Sequence, residues 1–300
     1  MIKSTETTEE IASFASRLPG GDLALMRIGC LAQAYGLDRP FLRAWTQWDG
    51  EKSTALLVAM DGSLSVSALS CADLDELAAF IRMAGCDGVF VRGELAAMLN
   101  LRIRESGVVL HRCADALSLS GKDTVVPWSP ASPQARQGKE ERRSGRADDF
   151  RKSHRIRAIS DRRERYAVRD DVPSVDVYEL LAQCEGAGIR LPGREAFCAD
   201  FSHRVRHGCA HLAAVLLDGA PVSIALTTAE YHKDAVLGGA ATVPEYRGQG
   251  LASAAIAALG ERLRLGGLEV WTACADSLIP FYRRLGFVPA DRFTLCEPDA

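Results

Sequence analysis

The stretch AATVPEYRGQGLASAAIAAL, residues 240–259, decides the reading of this chain. An apolar strand ends at Val243, Pro244 stops it, and Arg247-Gly248-Gln249-Gly250 leads directly into a helix. Two glycines one residue apart let backbone N–H groups approach a ligand without interference from a Cβ. The helix that follows offers unpaired N–H groups and the positive end of its dipole. Together they make an anion site suited to a pyrophosphate. Two nucleotide patterns fail here. A P-loop needs Lys followed by Ser or Thr after its second glycine, where Leu251-Ala252 stand. A dinucleotide fingerprint needs Gly or Ala where Ser253 stands, and Glu269 begins the next strand instead of ending it.

Outward from this turn the pattern alternates. Upstream come a short strand in RYAVRD, two amphipathic helices in SVDVYELLAQC and REAFCADFSHRVRHG, and a hairpin, HLAAVLLDGAPVSIALTTA, turning at Asp218-Gly219. The strand AVLGGAATV then enters the glycine turn. Downstream lie strand LEVWTAC, helix SLIPFYRRL and a last strand near RFTLCE. The run from His203 to His207 puts cations at the end of the second helix, where the dipole favours them. Its alternative reading is the lip of a cleft for an acidic acceptor.

Arg247-Gly248-Gln249-Gly250-Leu251-Ala252 resembles the R-x-x-G-x-G/A signature of the GNAT superfamily of N-acetyltransferases. Phe281-Tyr282-Arg283-Arg284-Leu285-Gly286-Phe287 resembles its second signature, F/L-Y-x-x-x-G-F. The resemblance covers residues 165–298. It implies an α+β fold, a central mostly antiparallel sheet flanked by helices, binding acetyl-CoA without a metal. It further implies acetyl transfer to a primary amine of a small molecule or peptide by direct attack. The amides of Gly248, Gln249, Gly250, Leu251 and Ala252 would hold the pyrophosphate, with Arg247 shaping the loop. Ala241, Thr242 and Val243 would splay from LEVWTAC and present their edge to pantetheine. Tyr282 would protonate the departing thiolate, since a phenol with a reference pKa of about 10 is protonated at neutral pH. The Val243 N–H would stabilise the oxyanion. No carboxylate stands in AVLGGAATV to act as general base. Glu230, His232 and Glu245 are nearby, and read as exposed hairpin or turn residues. A second reading follows from the missing carboxylate: a non-catalytic acyl-CoA-binding module whose N-terminal domain binds a partner.

Residues 1–117 read as a second, mixed α/β domain without a catalytic motif. TTEEIASFASRL, LALMRIGCLAQAYG and ADLDELAAFIRMAG are helical, STALLVAM and SLSVSAL flank an Asp61-Gly62 turn, and DGVFV and GVVLHRC are strands. This order resembles a degenerate copy of the same fold. Trp45 and Trp48 read as packing residues. Residues 118–164 form a charged, proline-containing linker, basic through residues such as Arg142, Arg143, Arg155 and Arg163 but interleaved with acids. Its only aromatic residues are Trp128 and Phe150, too few to interleave with the basic run and stack on bases, which argues against nucleic acid. A net charge of -3 implies no polyanionic partner, and no run of apolar residues is long enough to cross a bilayer. The start lacks an apolar core for a secretion signal. Nine scattered cysteines without a C-x-x-C pair point to a reducing cytoplasm instead of disulfides or zinc.

Overall fold

A computed structural model of the protein describes residues 1–18, 20–60, 62–113, 166–184 and 191–298. The expected linker, with its basic run, lies outside the described residues, as do both expected domain boundaries.

The first half runs β1 (Ile2–Ser4), α1 (Thr8–Ala15), α2 (Leu23–Tyr35), β2 (Leu42–Asp49), β3 (Lys52–Met60), β4 (Ser63–Ala68), α3 (Leu74–Met83), β5 (Gly88–Arg92), α4 (Gly93–Met98) and β6 (Ile103–Cys113). The second runs β7 (Tyr166–Arg169), α5 (Ser174–Ala182), α6 (Arg194–Arg206), β8 (Leu212–Leu217), β9 (Ala220–Tyr231), β10 (Asp234–Thr242), α7 (Leu251–Leu265), β11 (Glu269–Cys274), α8 (Ile279–Arg284) and β12 (Phe287–Cys296). Each expected helix forms where its apolar spacing puts it. Local chemistry fixes the starts: Thr7 accepts from the Glu10 N–H and Asp22 from the Leu25 N–H. The β8–β9 hairpin turns through Asp218 and Gly219, both left-handed, at φ 51° and 82°. The segment with Trp45 and Trp48 is a strand, β2, as well as a packing element: Trp45 meets Phe80 edge-on at 5.1 Å.

The twelve strands of the described residues join one sheet in the order β1-β2-β3-β4-β5-β12-β6-β11-β10-β9-β8-β7. Each half has three antiparallel strand pairings of its own and one parallel pair, β4 with β5 and β10 with β11. At the centre the halves interleave. The last strand of the chain, β12, lies between β5 and β6 of the first half, and β6 lies between β12 and β11. Helices cover both faces. Helix α7 packs on Ala213, Val215 and Ala225, while α5 and α6 pack on the alternate residues Ala214 and Ile224. In the first half α1 and α2 cover one face and α3 the other. Helix α2 also crosses to the second half and buries Met26, Cys30 and Ala34 against Ala229, Val236 and Trp271. The run His203–His207 serves this junction. His203 stacks on Tyr35 at 4.7 Å and bonds the Ala34 carbonyl at 2.6 Å, while Arg204 pairs with Asp200.

None of the nine cysteines is in a disulfide, and six are buried: Cys30, Cys86, Cys184, Cys209, Cys274 and Cys296. Among the described residues, no helix is long and apolar enough to cross a membrane.

Candidate active site

The site begins at a gap in the sheet. The parallel pairing of β10 with β11 runs from Asp234↔Glu269 to Leu237↔Thr272 and ends there, although β10 continues to Thr242 and β11 to Cys274. Beyond Leu237 the strands part in a V. On the other side of β10, Gly238 pairs with Leu226 and Ala241 with Ile224, so Gly239 and Ala240 oppose the single residue Ala225. That is a β-bulge. Gly239 supplies the left-handed turn it needs, at φ 55°. Gly239 and Ala240 therefore belong to neither ladder and lie on the edge of the V.

Past the V, a short 3-10 turn at Pro244–Tyr246 leads into the glycine loop. Gly248 and Gly250 are left-handed, at φ 74° and 77°, and a Cβ added at Gly248 would meet nothing within 4 Å. The loop thus faces open space. Gly250 is the N-cap of α7, no side chain caps the helix, and its first turn holds no acid. Its leading amides are left for an anion. Arg247 folds back and donates from Nε to the Thr242 carbonyl at 3.1 Å, which ties the loop to the end of β10. The Tyr166 hydroxyl reaches Gln249 Oε1 at 3.3 Å.

Tyr282 comes to the same apex from α8. It is 5% exposed, packed edge-on against Phe287 at 5.7 Å, and Thr272 is the polar neighbour of its hydroxyl. Thr272 itself donates to the carbonyl of Leu237, the last paired residue before the V, at 3.2 Å. Burial pushes the Tyr282 phenol above its ordinary value, so it holds its proton.

Two expectations are corrected. The Val243 N–H donates to the Val222 carbonyl at 3.0 Å, so it is spent within the sheet and is not free for an oxyanion. Glu230 is not an exposed hairpin residue: it is 5% exposed, and its carboxylate meets His211 Nδ1 at 2.9 Å and the Thr227 hydroxyl. It lines a cavity of about 300 Å³ with His211, His232 and Arg262 at the far end of β10 from the glycine loop. His232 does sit in the hairpin turn, left-handed at φ 54°, and Glu245 is exposed.

One residue at the apex has no signal in the sequence. His111 of β6 stands opposite Thr272 in the β6–β11 pairing, and its ring centroid lies 6.5 Å from that of Tyr282. It is fully buried, and neither ring nitrogen has a hydrogen-bond partner. A buried polar group left unpaired costs about 1–3 kcal/mol.

The family model for the Acetyltransferase (GNAT) family matches residues 174–287, which span the V, the glycine loop and Tyr282. Residues 174–287 are a GNAT acetyltransferase domain. No curated protein matches the chain by sequence. Solved structures match its whole length. A tandem GNAT protein from the clavulanic acid biosynthesis pathway is 16% identical, with 100% of this chain and 99% of that one covered and a TM-score of 0.59. A GNAT-family acetyltransferase from Colwellia psychrerythraea is 14% identical over 99% of each chain, with a TM-score of 0.57. A GCN5-related N-acetyltransferase from Sphaerobacter thermophilus is 16% identical over 98% and 94%, at 0.56. At these identities the likeness is one of fold. It extends the GNAT architecture to the first half, where no motif stands.

That first half differs at the places that matter. Its helix α3, the counterpart of α7, follows a loop without glycine and is capped by Asp73, which accepts from the Glu76 N–H at 3.0 Å. Asp75 and Glu76 occupy its first turn, so protein carboxylates already meet the helix end. Beside the β4–β5 pair, Ser67 and Arg92 close on the buried carboxylate of Asp22, at 3.0 and 3.6 Å.

Proposed function

We propose that the second half transfers an acetyl group from acetyl-CoA to a primary amine of a small molecule or peptide, by direct attack of the amine on the thioester. The observation that carries this is the order of three features along one end of the sheet. The uncapped glycine loop, the free edge of β10 and the buried Tyr282 phenol follow one another from the helix start to the apex of the V. The amides from Gly248 to Ala252 hold the pyrophosphate, and Arg247 keeps them in place through Thr242. Pantetheine runs along the edge from Val243 back towards Gly238, hydrogen-bonded as an added strand. The amides that leave the ladders at Gly239 and Ala240 take the place of the Val243 N–H as donors to the tetrahedral oxyanion. Tyr282, held protonated by burial, gives its proton to the departing thiolate.

The first half binds no coenzyme on this reading, because Asp73 and its acidic neighbours occupy the position of the diphosphate. The acceptor is an amine of the cytoplasm. The test is to follow thiol release from acetyl-CoA across an amine panel, beside calorimetry with coenzyme A. Binding of one coenzyme per chain with amine-dependent thiol release supports the assignment. Tight binding with no transfer to any amine would instead favour an acyl-CoA-sensing module.

A further inference from the structure

We infer that His111, a residue of the first half, is the proton relay that serves Tyr282 in the second half's site; this rests on the acetyl-transfer reading above. Three observations place it there. The β6–β11 register sets His111 beside Thr272 on the face that α8 covers, with its ring centroid 6.5 Å from that of Tyr282. The ring is fully buried. Both of its nitrogens lack a partner, which a histidine serving only to pack or to brace the sheet has no reason to leave so.

Two free nitrogens are what a relay needs. A neutral imidazole carries one N–H donor and one acceptor. When the amine attacks and the C–S bond breaks, Tyr282 gives its proton to sulfur and becomes a phenolate. Through a bridging water His111 donates its N–H proton to that phenolate, while its other nitrogen accepts, also through water, the proton that the acceptor nitrogen sheds. The phenol is restored, the imidazole ends neutral in its other tautomer, and the amide and free thiol leave. No charge is left buried between the two rings. This chain of transfers also accounts for a site without a carboxylate on β10, since the group that receives the proton comes from the other half of the chain.

The charged and titratable groups around His111 are Tyr282 and Arg283 of α8, with Cys274 of β11 beside Tyr282; β12 places Pro289 opposite it. Burial, and then the Arg283 charge, keep the imidazole below its ordinary pKa and so neutral. The experiment compares full-length wild type with His111→Gln, which keeps polarity and size but cannot exchange tautomers. Turnover should fall about 100-fold, the scale of a lost proton-transfer group, with coenzyme A affinity changed less than threefold. The acidic limb of the wild-type kcat profile, lying below pH ~6.5, should vanish in the variant. Full turnover in His111→Gln, or an equal loss at every pH with the limb retained, overturns the relay. If the variant does not fold, nitrogen NMR of the wild-type histidines decides. One ring that stays neutral below pH 6 and shifts on addition of acetyl-CoA supports the relay, and the absence of such a ring overturns it. Wild type that binds acetyl-CoA but acetylates no amine refutes the acetyl-transfer reading itself, an outcome distinct from the loss confined to the variant.

Discussion

His111 and Thr272 are direct cross-strand partners, although one precedes the central segment of the chain and the other follows it. This pairing, with β12 between β5 and β6, makes each half dependent on a strand of the other. Residues 165–300 expressed alone would expose both the edge of β11 and the unpaired length of β12. We expect that fragment to aggregate or to stay unfolded by circular dichroism, and co-expression with residues 1–117 to recover a soluble, stoichiometric pair. A monomeric, folded fragment that binds coenzyme A with full affinity would contradict this.

Gly250→Glu should abolish the anion site. The substitution forces a side chain onto a left-handed residue, at about 1 kcal/mol, and sets a negative charge at the start of α7. Coenzyme A should bind at least 100-fold more weakly by calorimetry, with the melting temperature lowered by only a few degrees. Gly248→Ala meets open space and keeps most of the affinity, at a similar conformational cost.

For Tyr282→Phe, turnover should drop by about 100-fold or more while coenzyme A binding holds. The pH profile adds a second readout. Activity needs the protonated phenol, and burial raises the pH at which that proton is lost. The alkaline limb assigned to Tyr282 should therefore lie above pH ~10. A Tyr282-dependent fall in kcat near neutral pH would count against its role as the acid.

The docking of α2 across both halves can be probed at Gly29. A Cβ there would stand 2.2 Å from the Tyr231 ring, so the helix or the ring must move. Gly29→Ala should destabilise the protein by about 1–3 kcal/mol in urea titration. Unchanged stability would mean that α2 is not pressed against β9.

Asp22 gives a stability prediction with a definite sign. Burial raises its carboxyl pKa above the unfolded value, despite the Leu25 N–H, Arg92 and Ser67. A raised pKa contributes stability that is fully present below the unfolded pKa and is lost as pH rises through the folded one. Asp22→Asn keeps an acceptor for the Leu25 N–H and removes the charge. Its stability curve should be flatter than that of wild type above pH ~4, with the gain over wild type growing towards neutral pH. Parallel curves would show that the carboxylate is not penalised.

What could be read in the chain itself was whatever local geometry dictates. The turn from Arg247 to Ala252 requires left-handed glycines and an open helix start, and those demands are met by residues adjacent in sequence. The same holds for the helices, whose apolar spacing shows their buried face, and for Tyr282 within its helix-end motif. Strand β2 was less legible because its alternation is blurred by Trp45 and Trp48. The tertiary structure decided the rest. Whether an amide is spent depends on its neighbour across the ladder, so only the pairing showed that Val243 bonds Val222 and that Gly239 and Ala240 share one opposing residue in a bulge. Only the exchange of β6 and β12 between the halves brings His111 to Tyr282. Register between distant strands is set by the packing of both sheet faces together, and no local pattern around a lone histidine encodes it.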